Sequence, residues 1–345
     1  MQQPPTVNDS QLDQSSTQNA KPPYYALTPD TVIDAVESLG YLSDARVLAL
    51  NSYENRVYQV GIEENTPIIA KFYRPQRWSD EQIAEEHNYL FELKELGLPV
   101  VPPLTLKGDN SVFEYKDYRF SLFPRQGGHA PELDNLDHLL VLGRMMGRIH
   151  LCGASTPFRH RPSIDIASYG EASVAFLLAS EMIPAGLRTA YQTLCEDLLA
   201  QVRRIWGEVG QQPQIRLHGD CHIGNILWRD ETPHFVDFDD SRNGPAIQDL
   251  WMFLSGDRNQ QRLQCSELVE GYNEFNDFPA IQLRLIEPLR TLRLLHYNAW
   301  LGRRWEDPAF PHSFPWFNTE RYWSEHILEL REQLSALQEP PLELW

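Results

Sequence analysis

This sequence predicts an α+β chain in two lobes, a small antiparallel sheet carrying one long helix, then a larger and mainly helical lobe. Three features predict it. Between Ala45 and Pro124, short β-branched and aromatic runs alternate with polar turns. From Asp134 onward, apolar residues recur at helical spacing over long segments. The two regimes meet at FPRQGGH, residues 123–129, where proline and glycines punctuate the chain.

Taken in order, residues 1 to about 24 are rich in Gln, Ser, Asn and Pro and have too few large apolar side chains to offset the entropy of ordering, so a flexible tail is expected. In LTPDTVIDAVESLG, Thr28 can cap a helix, Pro29 suits its first position, Val32, Ile33, Val36 and Leu39 form a stripe, and Gly40 ends it. ARVLALNS, NRVYQVGI and PIIAKFYR then read as three strands. Ser79 opens the long helix SDEQIAEEHNYLFELKELG, and SVFEY and YRFSLFP complete a five-stranded sheet around a turn at Lys116 and Asp117. The second lobe begins with the helical segments LDHLLVLGRMMGRIH and LRTAYQTLCEDLLAQVRRIW. It also holds a hairpin, NILWRD and HFVDF, joined by DETP. The expected organisation is a tail over 1–24, a nucleotide-binding lobe over 25–125 and a catalytic, acceptor-binding lobe over 126–345. The aromatic cluster from Trp300 to Trp323 is expected to pack against the helical lobe, with the walling of an acceptor pocket as the weaker alternative.

A net charge of -18, with no long basic run to neutralise phosphates, argues against a nucleic-acid partner. Cys152, Cys195, Cys221 and Cys265 are far apart and suit a reducing compartment better than a disulfide scaffold. The N-terminal segment lacks the apolar core of a secretion signal, and no window approaches the roughly 20 apolar residues that span a bilayer. A cytoplasmic chain with no membrane partner is expected.

The chemistry concentrates in LHGDCHIGNILW. The spacing His218-x-Asp220-x-x-x-x-Asn225 matches the protein-kinase catalytic loop, with Gly219 where that loop has arginine. Such a loop needs an aspartate that takes the acceptor hydroxyl's proton and an asparagine that holds the phosphate-bridging metal. A second metal-binding aspartate should follow a hairpin, and Asp237 does so, in Asp237, Phe238, Asp239 where kinases carry Asp-Phe-Gly. Asp239 and Asp240 fall further into the turn, where Asp239 would assist through water and Asp240 would cap or turn the chain. In the small lobe, Lys71 ends the strand IIAK, placing an ammonium for the α and β phosphates. On the next helix Glu86 shares the inward face with Ile83, Leu90 and Leu93, which makes it the expected ion-pair partner, while Glu85 points elsewhere. Ser52, in the hairpin over the phosphates, can donate through its hydroxyl or amide. ATP and Mg2+ are the implied cofactors.

Other readings of the same residues are weaker. His218 and His222 could ligate zinc, but a third ligand at suitable spacing is missing. His218 suits a structural role in the loop, and Cys221 a small buried side chain. Gly127 to His129 could form an oxyanion loop, but no Gly-x-Ser-x-Gly elbow exists to use it, and no Walker A sequence is present.

NSYENRVYQV, AKFYRP, HRP at His160 to Pro162, RLHGDCHIGNILWRD, DDSRNGPAIQDLWM and WEDPAFPHSFPW together resemble the bacterial stress response kinase A family, in the aminoglycoside phosphotransferase and choline kinase-like branch of the protein-kinase fold. The resemblance spans roughly residues 27 to 343. It implies an ATP- and magnesium-dependent serine/threonine protein kinase, cytoplasmic and monomeric, serving envelope and oxidative stress. It further implies Asp220 as proton acceptor, Asn225 and Asp237 as magnesium ligands, and Ser52 as an ATP contact. Only SRNGPAI separates the metal motif from Asp249, and no Ala-Pro-Glu sequence follows, so there is no long activation segment to dock a peptide. A small hydroxyl metabolite is therefore the second acceptor class. A silent nucleotide-binding regulator is a third reading, which the retention of Lys71, Asp220, Asn225 and Asp237 opposes.

Overall fold

The structure is a computed structural model that describes residues 22–344. The expected tail lies almost wholly outside these residues. Tyr24, at its end, donates its hydroxyl to the carbonyls of Glu54 and Phe72 and stacks on Tyr118.

The first helix, α1 (Pro29–Glu37), starts as its sequence dictates, with the Thr28 hydroxyl accepting from the Thr31 amide and Pro29 at the first turn. The strands β1 (Ser43–Ala49), β2 (Arg56–Ile62), β3 (Ile68–Phe72), β4 (Phe113–Tyr115) and β5 (Tyr118–Pro124) form an antiparallel sheet in the order β1-β2-β3-β5-β4. The strand period of two sorts β3 into two faces. Ile68, Ala70 and Phe72 join Val60, Phe120, Leu122 and the α1 residues Val32 and Val36 in one apolar cluster. Lys71, opposite Val57 and Ser121 in the ladder, points the other way.

Helix α2 (Asp80–Glu95) opens with a reciprocal cap between Ser79 and Gln82. It buries Ile83, Glu86, Leu90 and Leu93 as its period predicts, and His87 and Tyr89 as well. Tyr89, Leu90 and Leu93 belong to the large cluster of the helical region rather than to the sheet's own cluster. The helix that follows the third strand thus packs its apolar face on the helical half, while its Glu86 and His87 meet Lys71 and Tyr73 on the sheet side.

The helical half comprises α3 (Leu136–Gly153), α4 (Ala172–Ala179), α5 (Ala185–Val209), α6 (Ile247–Leu250), α7 (Arg258–Asn273), α8 (Ile286–Arg303), α9 (Ala309–Ser313) and α10 (Glu320–Ala336). The expected hairpin is β7 (Ile226–Arg229) and β8 (Thr232–Phe235). Its turn is shorter than DETP, since Asp230 and Glu231 both take positive φ and close a two-residue loop, which returns Thr232 and Pro233 to the strand. A second pair, β6 (Ile215–Leu217) with β9 (Arg242–Gly244), was not expected from the sequence. Three residues are too few to show a period. The C-terminal aromatics do pack into the helical cluster, with Phe310, Phe317 and Trp323 buried. They also reach back to the sheet, where Phe314 lies 4.8 Å from the ring of Tyr53. Among the described residues no helix is long and apolar enough to cross a membrane.

Candidate active site

Each polar residue of the cleft is placed by a local backbone device. Strand β6 delivers the chain to His218, which is fully buried. There the Asp249 carboxylate accepts from the His218 amide at 2.8 Å and the Gly219 amide at 2.9 Å, and faces His150 at 3.1 Å. His218 turns its Nε2 to the Val236 carbonyl at 2.9 Å, so it is a loop anchor and not half of a zinc pair. Among the described residues no group of three or more His, Cys, Asp or Glu side chains is arranged to hold a metal. Gly219 has φ +87°, and a Cβ there would lie 2.1 Å from the Asp240 carbonyl oxygen. This contact between the two loops explains why the kinase arginine is absent at this position.

Asp220 follows, half-buried, with Arg293 of α8 donating to it at 2.6 Å. Asn225 closes a short turn before β7, and its amide nitrogen donates to the Asp220 carbonyl at 3.0 Å. That leaves the Asn225 amide oxygen as an acceptor, and the Val236 amide donates to the Asn225 carbonyl at 3.0 Å, which brings the residue before Asp237 alongside Asn225. Asp237 sits just past β8 in a left-handed conformation, φ 59° and ψ 62°, with a side chain 54% exposed. A non-glycine residue held there stores strain of order 1–3 kcal/mol, a feature that clusters at functional sites.

Lys71 is buried, with Nζ 3.1 Å from Asp239, 3.2 Å from Asp237 and 3.7 Å from Glu86. Burial alone would lower its pKa, but Asp239, Glu86 and Asp237 outweigh it and hold the ammonium well above the ordinary lysine value. The expected Lys71–Glu86 pair is therefore loose. Glu86 hydrogen-bonds Arg161 at 2.8 Å, and Arg161 also donates to the carbonyls of Asp239 and Ser241. Burial raises the Glu86 carboxyl, with Lys71 and Arg161 opposing. Glu85 does point away, but it accepts from the amides of Arg159, His160 and Arg161 and so fixes the segment that carries Arg161.

Asp239 is buried between Lys71 and Arg77. Burial works against its charge, yet Arg77 and Lys71 prevail and draw its pKa down to about 2. Asp240 is neither a cap nor a simple turn residue. Arg77 donates to it at 2.7 Å and Arg242 at 3.0 Å, and together they overcome burial and hold it well below the carboxylate range. Ser52, half-buried in the β1–β2 turn, donates its hydroxyl to the Asn55 carbonyl at 3.2 Å. The neighbouring Glu54 is clamped by Trp300 at 2.5 Å and Arg304 at 2.6 Å, and Asp307 pairs with Arg74 at 3.0 Å. Sequence reasoning missed Arg77, Arg161, Glu54, Arg293, Arg304 and Asp307. HRP and WEDPAFPHSFPW were conspicuous strings, but their partners lie far along the chain.

Comparison with known proteins gives the family and the fold. A curated relative named stress response kinase A, from Shigella flexneri, is 45% identical over 321 residues, covering 93% of this chain and 97% of the relative. One named serine/threonine protein kinase RdoA, from Salmonella typhimurium, is 44% identical over the same shares. Among solved structures, amicoumacin kinase in complex with AMP-PNP, Ca2+ and Ami has a TM-score of 0.71 at 18% identity, covering 91% of this chain and 94% of that one. Spectinomycin phosphotransferase in complex with ADP and its antibiotic has a TM-score of 0.60 at 16% identity, covering 90% and 94%. At these identities the likeness to the solved structures is one of fold. The model of the phosphotransferase enzyme family matches residues 46–284, the span that holds the strand of Lys71, the loop from His218 to Asn225 and the hairpin before Asp237, and the chain belongs to that family.

Proposed function

We propose that this chain is a cytoplasmic, monomeric serine/threonine protein kinase of the stress response, using ATP and Mg2+, with residues 25–125 holding nucleotide and 126–345 carrying the catalytic loop and the acceptor. The observation that carries the reading is the meeting of Lys71 on β3, Asp220 and Asn225 in the loop between β6 and β7, and Asp237 past β8, with Lys71 paired to Asp237 and Asn225 bonded to Asp220. The names of the relatives that cover nearly the whole chain support the protein acceptor and the link to stress.

The residues fit magnesium. Asp237 offers a half-exposed carboxylate and Asn225 an amide oxygen, and these two would hold the ion, since magnesium needs only one or two protein ligands beside phosphates and waters. When bound, the metal supplies charge neutralisation across the β and γ phosphates. Lys71 holds the phosphates from the sheet side. Ser52 and the β1–β2 turn cover them. Asp220 orients the acceptor hydroxyl and takes its proton as the oxygen attacks the γ phosphorus and ADP leaves.

One observation favours a second reading, a small-molecule acceptor. Between Asp237 and Asp249 the chain forms only a short turn, β9 and the start of α6, which leaves no extended peptide platform. Incubation of the purified chain with γ-labelled ATP and either a cell extract or its protein-free metabolite fraction separates the two. Label in acid-stable phosphoserine or phosphothreonine of proteins is the expected result. Label confined to metabolites would overturn the protein-kinase reading and leave the phosphotransferase standing.

A further inference from the structure

The carboxylates of the cleft are matched by cations. Asp237 faces Lys71, Asp239 faces Lys71 and Arg77, Asp240 faces Arg77 and Arg242, and Asp220 faces Arg293. Asp237 would in addition be drawn to a metal. No carboxylate in this set is left over to receive a cationic acceptor. The cation with capacity to spare is Arg293. Its side chain is 42% exposed, and among the described residues its only hydrogen bond is the one Nη1 makes to Asp220 at 2.6 Å. A guanidinium has five donors in a planar fork, so most of them remain for a ligand.

The surroundings place this fork on the wall of the acceptor side. Arg293, Tyr297 and Trp300 share one face of α8 at helical spacing. Tyr297 is 39% exposed and stacks on Trp300, whose indole reaches Glu54 in the turn above the phosphate site. The wall thus runs from the catalytic loop up to that turn, with an aromatic surface beside the guanidinium. A hydroxyl bonded to Asp220 would lie within about 3 Å of that carboxylate, so the groups flanking the hydroxyl must pass Arg293.

We propose that Arg293 is the specificity-determining residue for the acceptor and selects one with an anionic group beside its hydroxyl, in the protein-kinase reading a serine or threonine flanked by acidic side chains. This rests on the proposed phosphotransfer to proteins and adds the charge of the substrate. Phosphate or carboxylate on the acceptor replaces water on the outward donors of Arg293 while Nη1 stays on Asp220. A cationic neighbour would find no acceptor on the outward donors of Arg293.

The test uses the full chain, ATP and magnesium with three serine peptides of equal length, flanked by Glu, Gln or Lys. The wild type should favour the Glu over the Gln peptide about tenfold in kcat/KM, the size of one hydrogen bond to a charged group, with the Lys peptide poorest. Arg293→Gln should level the three, Arg293→Glu should invert the order, and Arg293→Lys should keep it, with KM for ATP as a separate readout of the nucleotide site. A wild-type preference for the Lys peptide, or an Arg293→Gln enzyme slowed equally on all three with its ranking intact, would overturn the proposal. If no peptide is phosphorylated, the protein-kinase reading fails by itself, and the same comparison passes to 3-hydroxypropanoate against 3-aminopropan-1-ol. Preference for the acid that is lost in Arg293→Gln sustains the role of Arg293. Preference for the amine, or turnover of neither, sinks it.

Discussion

Three neighbouring aspartates show how environment separates residues of one type. Asp237 is half exposed and strained in its backbone, whereas Asp239 is buried between two cations. Asp237→Ala should fold with a Tm close to wild type, since the buried Lys71 keeps Asp239 and Glu86 as partners, and should lose magnesium-dependent turnover. Asp239→Ala removes the buried carboxylate that Lys71 and Arg77 share, and breaking a buried pair from one side costs about 3–5 kcal/mol. Its Tm should fall sharply alongside its activity. Thermal melts paired with magnesium titrations of turnover check both; an Asp237→Ala protein that is destabilised as much as Asp239→Ala would refute the distinction. The two glutamates of α2 separate in the same way. Glu85→Ala strips an acceptor from three amides and should cost about 1–3 kcal/mol with KM for ATP near wild type. Glu86→Ala, which leaves Arg161 buried and unpaired, should lower Tm and raise KM for ATP. Equal KM values for the two variants would show that Glu86 does not act through Lys71.

Among the elements, the long periodic ones were legible and the short ones were not. Helices α1 and α2 follow from their caps and stripes, and the five strands of the sheet from β-branched runs between turn residues. Strands β6 and β9 are three residues each, paired across a sequence gap of more than twenty, and nothing local marks them. The site divides along the same line. Lys71, Asp220, Asn225 and Asp237 sit in short strings whose spacing carries the chemistry, so their convergence could be anticipated. Arg161 and Arg293 each stand near another arginine, Arg159 and Arg290, with nothing local to mark one from the other, and the ordinary reading of such a residue is a solvated charge; their partners lie 75 and 73 positions away. The loop-to-loop contact at Gly219 has a direct consequence. Gly219→Ala would require a left-handed alanine and push its Cβ into the Asp240 carbonyl, so a loss of about 2 kcal/mol or more and a displaced Asp220 are expected. Urea denaturation and turnover measure the two effects, and an alanine variant with wild-type values for both would contradict the packing described for these loops.

At the scale of the molecule, the two halves are joined by the contacts of α2 and by the clamp of Glu54 and Arg74 on Arg304 and Asp307 after α8, so stability should respond to pH as a whole. His87 is buried between Tyr73 and Ser111, and desolvation, helped by Lys71 and Arg161, lowers its pKa to about 3. His296, stacked on Tyr169, is lowered to about 3 by burial and nearby arginines. Both are neutral when folded, whereas in the unfolded chain they bind protons below about pH 6.5. The stability they contribute is full above that value and declines as pH falls toward 3, at up to about 1.4 kcal/mol per pH unit for each histidine. Glu86, raised by burial, works in the opposite sense near its own pKa. His87→Gln keeps hydrogen-bonding capacity without the titration, so its urea midpoint should fall less steeply between pH 6.5 and 5 than that of the wild type. Parallel slopes would exclude His87 as a source of acid sensitivity.

The central claim, that Asp220 serves phosphoryl transfer from ATP in this cleft, is met most directly by Asp220→Asn. The amide preserves the size of the side chain and cannot take the hydroxyl's proton, so the rate of label transfer from γ-labelled ATP should fall by about 100-fold or more. Calorimetric titration of the same variant should give an ATP–magnesium affinity within a few-fold of wild type, since Lys71, Asn225 and Asp237 are untouched. Transfer at the wild-type rate with that affinity intact would contradict the assignment of Asp220.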